Sequence, residues 1–166
     1  MQLRSVEAVF RALQAAGVRY LVAGGLAVNA HGHHRFTKDL DLVLDLVPAN
    51  VRLAIKALKA EGYVPAVPVE ADAFADPVAR ELWIQEKGLT VFQMWSEQHP
   101  QTPIDLFVSD PFDFELEYRR ALHKPLFGEV DVRFVARDTL IAMKRTAARP
   151  QDLADVAELE AMDDGQ

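Results

Sequence analysis

Apolar residues recur at helical spacing in several segments of the chain. In the first of these segments, Ser5 is placed to cap a helix and Gly17 to end it. A second amphipathic helix is predicted between Pro48 and Gly62, because proline is common in the first turn of a helix and glycine just after its last turn. Further helices are predicted near 77–86, over 111–123 and, as a pair that separates near Arg149 and Pro150, over 137–162.

Other segments alternate with the period of a strand or form short runs of strand-forming residues. The first run, VRYLVAG, ends at Gly24 and Gly25, and a short helix from Leu26 to about His33 separates it from the alternating segment DLDLVLD. Further strands are predicted near Tyr63, over LTVFQMW, over PIDLFVS, and in a hairpin that turns near Gly128 and Glu129. Because strands and helices are mixed along the chain, the sequence predicts an α/β or α+β fold with a small mixed sheet.

Length and composition narrow this picture. The chain has 166 residues, which predicts a single domain over 1–166, with a core over about 18–135 and C-terminal helices over about 137–162. Cysteine is absent, which excludes disulfides, thiolate zinc sites and a cysteine nucleophile. Polar residues interrupt the apolar face of the first segment, so it fits neither a signal peptide nor a membrane span, and we expect a cytoplasmic protein without membrane contact.

The charge of the chain bears on its partners. The formal net charge is -7, which argues against a general nucleic-acid coat, because non-specific binding depends on many phosphate contacts from lysine and arginine. A local basic face stays open. The residues that could form it are Arg35, Lys38, Lys124, Lys144, Arg145 and Arg149.

Two acids in DLDLVLD are candidates for chemistry. Asp39 and Asp41 lie two apart on a predicted strand, so their side chains leave the same face at roughly 6 to 7 Å from each other. Leu40, Leu42 and Leu44 then face the core. Carboxylates on one face repel each other and raise one another's pKa unless a cation lies between them. Mg²⁺ is such a cation, because it typically binds one or two carboxylates together with substrate phosphates.

A third acid, Asp105, interrupts the apolar run PIDLFVS, where an isolated aspartate is costly unless it is paired or binds a ligand. If its strand lies beside that of Asp39 and Asp41, at a spacing of about 4.8 Å, the three acids can converge. Such a cluster can hold two metal ions about 3.5 to 4 Å apart. The alternating pattern is also typical of a half-exposed strand, so plain solvent exposure of DLDL stays open. Asp45 falls near the end of the strand and is expected to be solvated.

The glycine pair is the other candidate feature. Gly24 and Gly25 end a predicted strand and open a helix, where the backbone can approach a phosphate closely, although two glycines alone more often mark a turn. Followed by Asp39 and Asp41 after a short helix, and by Asp105 on a later strand, the pair resembles the signature of the nucleotidyltransferase superfamily whose catalytic core is shared with polymerase beta. The resemblance implies a nucleotidyltransferase fold.

More specifically, the chain resembles a small bacterial group that includes the abortive-infection nucleotidyltransferase toxins. In that group the patterns HG..R.T.DLDL and LI.MKR....R..DL.D recur. This chain has the second pattern as LIAMKRTAARPQDLADV, and the matches span about Leu21 to Leu159. For the first pattern it has His31, Gly32, Arg35, Thr37, Asp39 and Asp41.

The resemblance implies roles for individual residues. Asp39, Asp41 and Asp105 are expected to bind Mg²⁺ or Mn²⁺, and Asp105 to help deprotonate the acceptor. Asp152 is expected to support the site or to act as a base. The residues expected to bind the nucleotide are Gly24, Gly25, Arg35, Thr37, Lys38 and Lys144.

The expected reaction is the transfer of a nucleoside monophosphate from an NTP to an acceptor hydroxyl, with release of pyrophosphate. Physical chemistry favours these residue types, since nucleotidyl transfer needs mainly positioning and neutralisation of charge at phosphorus. The acceptor can be tRNA or another RNA, a protein or a small molecule. The resemblance also implies a toxin role with a cognate antitoxin as partner. The alternative is a non-catalytic nucleotide-binding or protein-interaction module that retains the fold.

Histidines and aromatic residues offer weaker candidates. Only His31 and His34 of the histidine cluster share a helical face, so a transition-metal site is not favoured, and the cluster is expected to cover a helix end and the entrance to the nucleotide pocket. A nucleobase or an RNA acceptor could stack on exposed aromatic residues. Core packing is the favoured interpretation for the three considered, which are Trp83, Phe92 and Trp95.

Overall fold

The structure, a computed structural model, describes residues 1–162. Within this range no helix has the length and the apolar character needed to cross a lipid bilayer. The helices are α1 (Leu3–Ala15), α2 (Gly24–Ala30), α3 (Pro48–Ala60), α4 (Pro77–Lys87), α5 (Phe114–Arg120), α6 (Arg137–Ala147) and α7 (Pro150–Ala161), with a 3₁₀ turn at Ala71–Ala75. The strands are β1 (Tyr20–Val22), β2 (Leu40–Leu44), β3 (Tyr63–Pro65), β4 (Val91–Ser96), β5 (Ile104–Phe107), β6 (Leu122–Leu126) and β7 (Val130–Phe134).

These strands form one mixed sheet in the order β3-β4-β5-β2-β1-β7-β6. The pairs β2 with β5 and β1 with β7 are parallel, and the other neighbours are antiparallel. The predicted mixed α/β fold is therefore confirmed. Strand β2 occupies the middle of the sheet, between β1 and β5, which places its residues next to both the glycine turn after β1 and the acid on β5.

Helix α1 shows how the apolar periodicity produces the core. Its buried side chains include Val9, Phe10 and Leu13, which are fully inaccessible to solvent because they share one helical face. The prediction that Ser5 caps this helix is wrong. The helix begins at Leu3, and Ser5 is buried inside its first turns, where its hydroxyl lies 3.0 Å from the Nδ1 atom of His99.

The bounds of the two elements next to the glycines differ from the prediction: α2 ends at Ala30 rather than near His33, and β2 spans Leu40–Leu44 rather than residues 39–45. Helix α2 begins at Gly24 rather than at Leu26, so both glycines are part of the helix. On β2, Leu40, Leu42 and Leu44 are completely buried, as their alternation predicts. The helix start therefore meets the strand of the acids directly through the antiparallel pairing of β1 with β2.

Asp45, just beyond β2, is not solvated as the sequence predicts. Its carboxylate accepts a hydrogen bond from the Arg19 Nη1 atom at 2.7 Å, and its side chain is only 14% exposed. Arg19 also forms an ion pair with Glu115 on α5 and stacks over the Tyr118 ring. This cluster lies at the C-terminal end of β2, opposite the end that carries Asp39 and Asp41.

The aromatic residues divide into two environments. Trp83 stacks on Phe92 with ring centroids 5.3 Å apart, and Phe92 stacks on Phe74 at 5.0 Å, so core packing is confirmed for Trp83 and Phe92. For Trp95 the prediction of core packing is wrong. Trp95 lies on β4 with 41% of its surface exposed, because it alternates with the buried Met94 and faces the other side of the sheet.

The replacement Leu44→Ala tests the placement of β2 in the core. We expect it to lower the free energy of unfolding by about 2–5 kcal/mol, because it leaves a cavity among fully buried neighbours. The matched control Leu53→Ala truncates an exposed leucine on α3 and is expected to change stability by less than about 0.5 kcal/mol. Urea unfolding followed by circular dichroism measures both variants. Equal losses in the two would contradict the core position of Leu44.

Candidate active site

The parallel pairing of β2 with β5 brings two acids together. In the register of these strands Asp41 lies directly opposite Asp105, between the pairs Leu40 with Ile104 and Leu42 with Leu106. Asp41 and Asp105 therefore leave the same face of the sheet from adjacent strands, while their apolar neighbours enter the core.

Asp39 precedes β2 by one residue. The next residue along, Leu40, donates its backbone N–H to the carbonyl oxygen of Pro103 at 2.9 Å, which continues the pairing with β5 beyond the last ladder pair. Asp39 and Asp41 are each partly buried and lie two apart, so they share the face on which Asp105 lies. Asp39, Asp41 and Asp105 thus occupy neighbouring positions on one side of the sheet, which we call the acid face.

The electrostatics of this face show an excess of negative charge. Burial, together with the charges of Asp105 and Asp39, raises the pKa of Asp41 to about 7, against a smaller lowering by Lys144 and Arg149. Burial and the charge of Asp39 also raise the pKa of Asp105, although a hydrogen bond from Gln93 opposes this. The protein alone therefore stabilises the ionised carboxylates of Asp41 and Asp105 poorly.

Such a donor set fits a hard divalent cation. Adjacent carboxylate oxygens suit Mg²⁺, which usually completes its coordination with water and substrate phosphates rather than with protein groups alone. Within residues 1–162, no group of three or more histidine or acidic side chains has the arrangement of a ready-made metal site. A metal site that uses all three aspartates stays a prediction.

The glycine pair makes room for the side chains around it. Gly24 has φ of +60°, and a Cβ atom on it would overlap the Oδ2 atom of the Asp41 carboxylate. A Cβ atom on Gly25 would lie 2.5 Å from the Thr37 Oγ1 atom and 3.1 Å from the Arg35 Nη1 atom. The turn into α2 therefore needs glycine at both positions, because the site residues pack directly against its backbone. A phosphate cradle at these glycines stays a prediction.

Arg35 joins the loop before β2 to the last helix. Its Nε and Nη2 atoms donate to the two carboxylate oxygens of Asp155 at 2.7 and 2.8 Å, and Asp155 is completely buried. The Asn29 side chain accepts from the Arg35 backbone N–H at 3.0 Å and donates to its carbonyl oxygen at 2.9 Å. This geometry makes Arg35 a residue that fixes the loop. The nucleotide contact expected of it stays a prediction.

Lys144 lies in the same cluster. It is 5% exposed, and its Nζ atom is 2.7 Å from Asp155 Oδ2 and 3.1 Å from Asp152 Oδ1. It is near enough to the acid face to lower the pKa of Asp41. Lys144 therefore contributes positive charge to the site while two carboxylates hold its ammonium group in place. Direct contact with a nucleotide stays a prediction.

Both carboxylate oxygens of Asp152 also accept hydrogen bonds. Its Oδ1 atom accepts from Lys144 at 3.1 Å and its Oδ2 atom accepts from the Arg149 Nε atom at 2.7 Å. Burial alone would raise its pKa, but these hydrogen bonds and charges lower it. Of the two predicted roles, the geometry favours support of the site over proton transfer.

Sequence reasoning placed Arg149 only in a possible basic face, and it left Gln93 out of the site. The Arg149 side chain is 77% exposed, and its positive charge lowers the pKa of both Asp41 and Asp105. The signal in the sequence was Asp152 three residues later on a helix, a spacing that brings the two side chains together. Gln93 lies opposite Asp105 in the β4–β5 register and donates to its Oδ1 atom at 2.9 Å. The sequence around Gln93 carries no signal of this contact.

The remaining predicted residues lie around the loop between α2 and β2. Lys38 is exposed next to Asp39. His31 ends α2, and its Nε2 atom lies 2.8 Å from the Val135 carbonyl oxygen, while burial lowers its pKa. His33 lies 3.8 Å from Glu158 on α7. His31 and His33 thus contact separate partners near the end of α2.

The chain is similar to a known family over most of its length. Residues 8–165 match the model of a family described as Nucleotidyl transferase AbiEii toxin, Type IV TA system. None of the curated proteins searched by sequence matches this chain. The family match covers nearly the whole chain and includes all the site residues described above.

Solved structures share the fold at low sequence identity. The lincosamide antibiotic adenylyltransferase LnuA, in its lincomycin-bound crystal structure, has a TM-score of 0.65 and 12% identity, with 96% of this chain and 97% of that chain covered. ANT(2″)-Ia in complex with adenylyl-2″-tobramycin has a TM-score of 0.57 and 13% identity, with 96% of this chain and 87% of that chain covered. An antigenic nucleotidyltransferase-like protein from Paracoccidioides brasiliensis has a TM-score of 0.52 and 16% identity, with 95% of this chain and 73% of that chain covered. At these identities the likeness shows a common nucleotidyltransferase fold.

The replacement Asp155→Asn tests the buried ion cluster. We expect it to lower the free energy of unfolding at neutral pH by about 3–5 kcal/mol, because Arg35 and Lys144 lose a buried charged partner. Burial alone would raise the pKa of Asp155, but hydrogen bonds from Arg35, Lys144 and Gln151 lower it below the unfolded value. The stabilisation is therefore fully present above the unfolded pKa of about 3.9 and is lost as the pH falls through the lower folded-state pKa.

Urea unfolding of wild type and variant across this pH range measures the effect. The difference between them is expected to shrink in acid. Glu160→Gln is the control, because it removes an exposed partner of Arg145 and should cost less than about 1 kcal/mol. A difference that is constant with pH, or a loss as large in the control, would refute the assignment of this stabilisation to Asp155.

Proposed function

The chain belongs to the family of AbiEii nucleotidyl transferase toxins, and we propose that Asp39, Asp41 and Asp105 form the centre of its transfer reaction. The chain is thus a nucleotidyltransferase, an enzyme that moves a nucleoside monophosphate. The observation that carries the proposal is the register of β2 with β5, which places Asp41 beside Asp105 on the face shared by Asp39. The donor is an NTP, and the acceptor supplies a hydroxyl group.

The cofactor in this proposal is Mg²⁺ or Mn²⁺, held by the carboxylates of Asp39 and Asp41, with Asp105 completing the site. When bound, the divalent cation neutralises negative charge on the triphosphate and orients it for attack. The support is the chemistry of the donor set, since oxygen donors with raised pKa values gain most from a cation between them.

Asp105 takes the proton in this reaction. The register of β2 with β5 places its carboxylate beside Asp41 on the acid face, where it can accept a proton from the acceptor hydroxyl. The acceptor oxygen then forms a bond to the α-phosphorus, and the bond from the α-phosphorus to the oxygen that bridges to the β-phosphate breaks. Pyrophosphate leaves with the electron pair of that bond, and the proton stays on Asp105.

The cationic residues stabilise negative charge on the phosphates in this proposal. Arg149, aimed by Asp152, presents an exposed guanidinium group to the acids, and the buried Lys144 adds a second charge nearby. Positive groups held in place before the reaction stabilise charge that develops at the phosphates more effectively than mobile ones. In this proposal Arg149 therefore contacts the triphosphate directly, and the buried Lys144 contributes its positive charge without direct contact.

The acceptor and the biological role are finer parts of the proposal. The description of the family names a type IV toxin–antitoxin system, which supports a toxin role with an antitoxin as partner. RNA, including tRNA, protein and small molecules are the acceptor classes to be compared, because each can present a hydroxyl group.

Labelled NTPs test the reaction itself. Each α-labelled NTP is supplied with Mg²⁺ to the protein together with total RNA, a protein lysate or its small-molecule fraction. We expect label to enter one of these pools with the wild type. Asp41→Asn and Asp105→Asn are expected to reduce the rate by at least about 100-fold, because each removes a charge on which transfer depends.

The matched control is Asp131→Asn, which neutralises an exposed aspartate paired with His123 on the β6–β7 hairpin. Its rate is expected to equal that of the wild type. If no pool is labelled, or if Asp41→Asn labels as fast as the wild type, the transfer reaction at this site is refuted. NTP binding without transfer would identify a non-catalytic binding module.

Gly24→Ala tests the contact between the glycine turn and Asp41. The added Cβ atom would occupy the place of the Asp41 carboxylate, so we expect the transfer rate to fall at least about 10-fold, as for a misplaced catalytic group. Gly88→Ala is a close control, because Gly88 also has φ of +60° but a Cβ atom added there would meet nothing within 4 Å. Gly88→Ala should lose about 1–2 kcal/mol of stability from the left-handed backbone, Gly24→Ala should lose more because of its added clash, and only Gly24→Ala should lose activity. Equal rates in the two would show that Asp41 does not depend on Gly24.

A further inference from the structure

A cavity opens beside Asp39. It has a volume of about 490 Å³, within the range of ligand sites. It lies between the segment that leads into β2 and the loop that leads into β5. Its lining residues are Met1, Phe36, Lys38, Asp39, Pro100, Gln101 and Pro103.

Phe36 is the unusual member of this set. It is 72% exposed, although a phenylalanine gains roughly 1.5–3 kcal/mol from burial. Its backbone is nevertheless held on both sides. Arg35 is fixed by Asp155 and Asn29 and donates from Nη1 to the Phe36 carbonyl oxygen at 2.9 Å, and Thr37 packs against Gly25. The protein therefore presents a positioned aromatic ring to solvent next to the acid face.

The other lining groups define the kind of ligand. Pro100 and Pro103 offer apolar surface, the Gln101 amide can form hydrogen bonds, and Lys38 supplies a positive charge. A flat ring with polar edges and a nearby phosphate matches all of these groups. We propose that this cavity is a nucleobase subsite, in which Phe36 stacks on the base and Lys38 contacts its phosphate.

The inference rests on the proposed function, because that function brings nucleotides to Asp39. The sheet order separates two approaches to the acids, since Gly24 and Gly25 lie on the β1 side of β2 and the cavity lies on the β5 side. The base can belong to the NTP or to a nucleotide of the acceptor. The chemistry of stacking is the same in both cases, and binding measurements separate them.

The experiment measures the affinity of the full chain, with Mg²⁺ present, for each NTP, for inorganic tripolyphosphate and for a short single-stranded RNA trinucleotide. Phe36→Ala removes the ring, and Phe36→Tyr retains it. Leu116→Ala is the matched control, because it truncates an exposed apolar side chain, on α5. Circular dichroism is expected to show folded protein for all variants, since both positions are exposed.

We expect Phe36→Ala to weaken binding of either the NTPs or the trinucleotide by about 5- to 150-fold, the range for loss of one base stack. Phe36→Tyr should retain wild-type affinity, and tripolyphosphate, which has no base, should bind all variants alike. If Phe36→Ala loses affinity only for NTPs, the base in the cavity is that of the donor. If it loses affinity only for the trinucleotide, the base in the cavity is that of the acceptor.

Three results would overturn the subsite: unchanged affinities in Phe36→Ala, an equal loss for tripolyphosphate, or a wild type that binds neither NTP nor trinucleotide. Failure of the proposed function gives a different result. In that case binding still depends on the ring at position 36, but label transfer is absent from the wild type as well as from Asp41→Asn.

Discussion

The parallel pairing of β2 with β5 is the constraint on which the site depends. A shift of one residue in this register would turn Asp41 into the core and a leucine out to solvent, because side chains alternate along a strand. Fully buried Leu40, Leu42 and Leu106 prevent that shift. The same apolar contacts therefore stabilise the fold and hold two carboxylates side by side against their mutual repulsion, which on its own would separate them.

The C-terminal helices supply the opposite charge. Lys144 on α6 and Arg149 before α7 lie close enough to the acids to lower the pKa of Asp41, while Asp152 and Asp155 hold the ammonium and guanidinium groups. The buried charges of Lys144, Asp152 and Asp155 are tolerated only because each has partners in good geometry. The acid face of the sheet and the two last helices are thus complementary parts of one electrostatic unit.

Sequence patterns predicted the elements that depend on local periodicity. The alternation of DLDLVLD indicated which side chains of β2 enter the core, and the mixed fold followed from the order of helices and strands. The contacts that the sequence did not reveal depend on partners distant in the chain. Asp45 is paired because Arg19 comes beside it, Gln93 reaches Asp105 from the neighbouring strand, and Trp95 is exposed because it faces away from the side of the sheet that buries Met94.

The ion pair of Arg35 with Asp155 joins residues 120 positions apart in the chain. A ribosome makes the N-terminal part first, and domains are completed as the chain emerges. During synthesis the loop that carries Phe36 and leads to Asp39 lacks its anchor until α7 has left the ribosome. The ion pair that holds this loop therefore forms only after α7 has been synthesised, so the site depends on a contact that local folding of the earlier residues cannot supply.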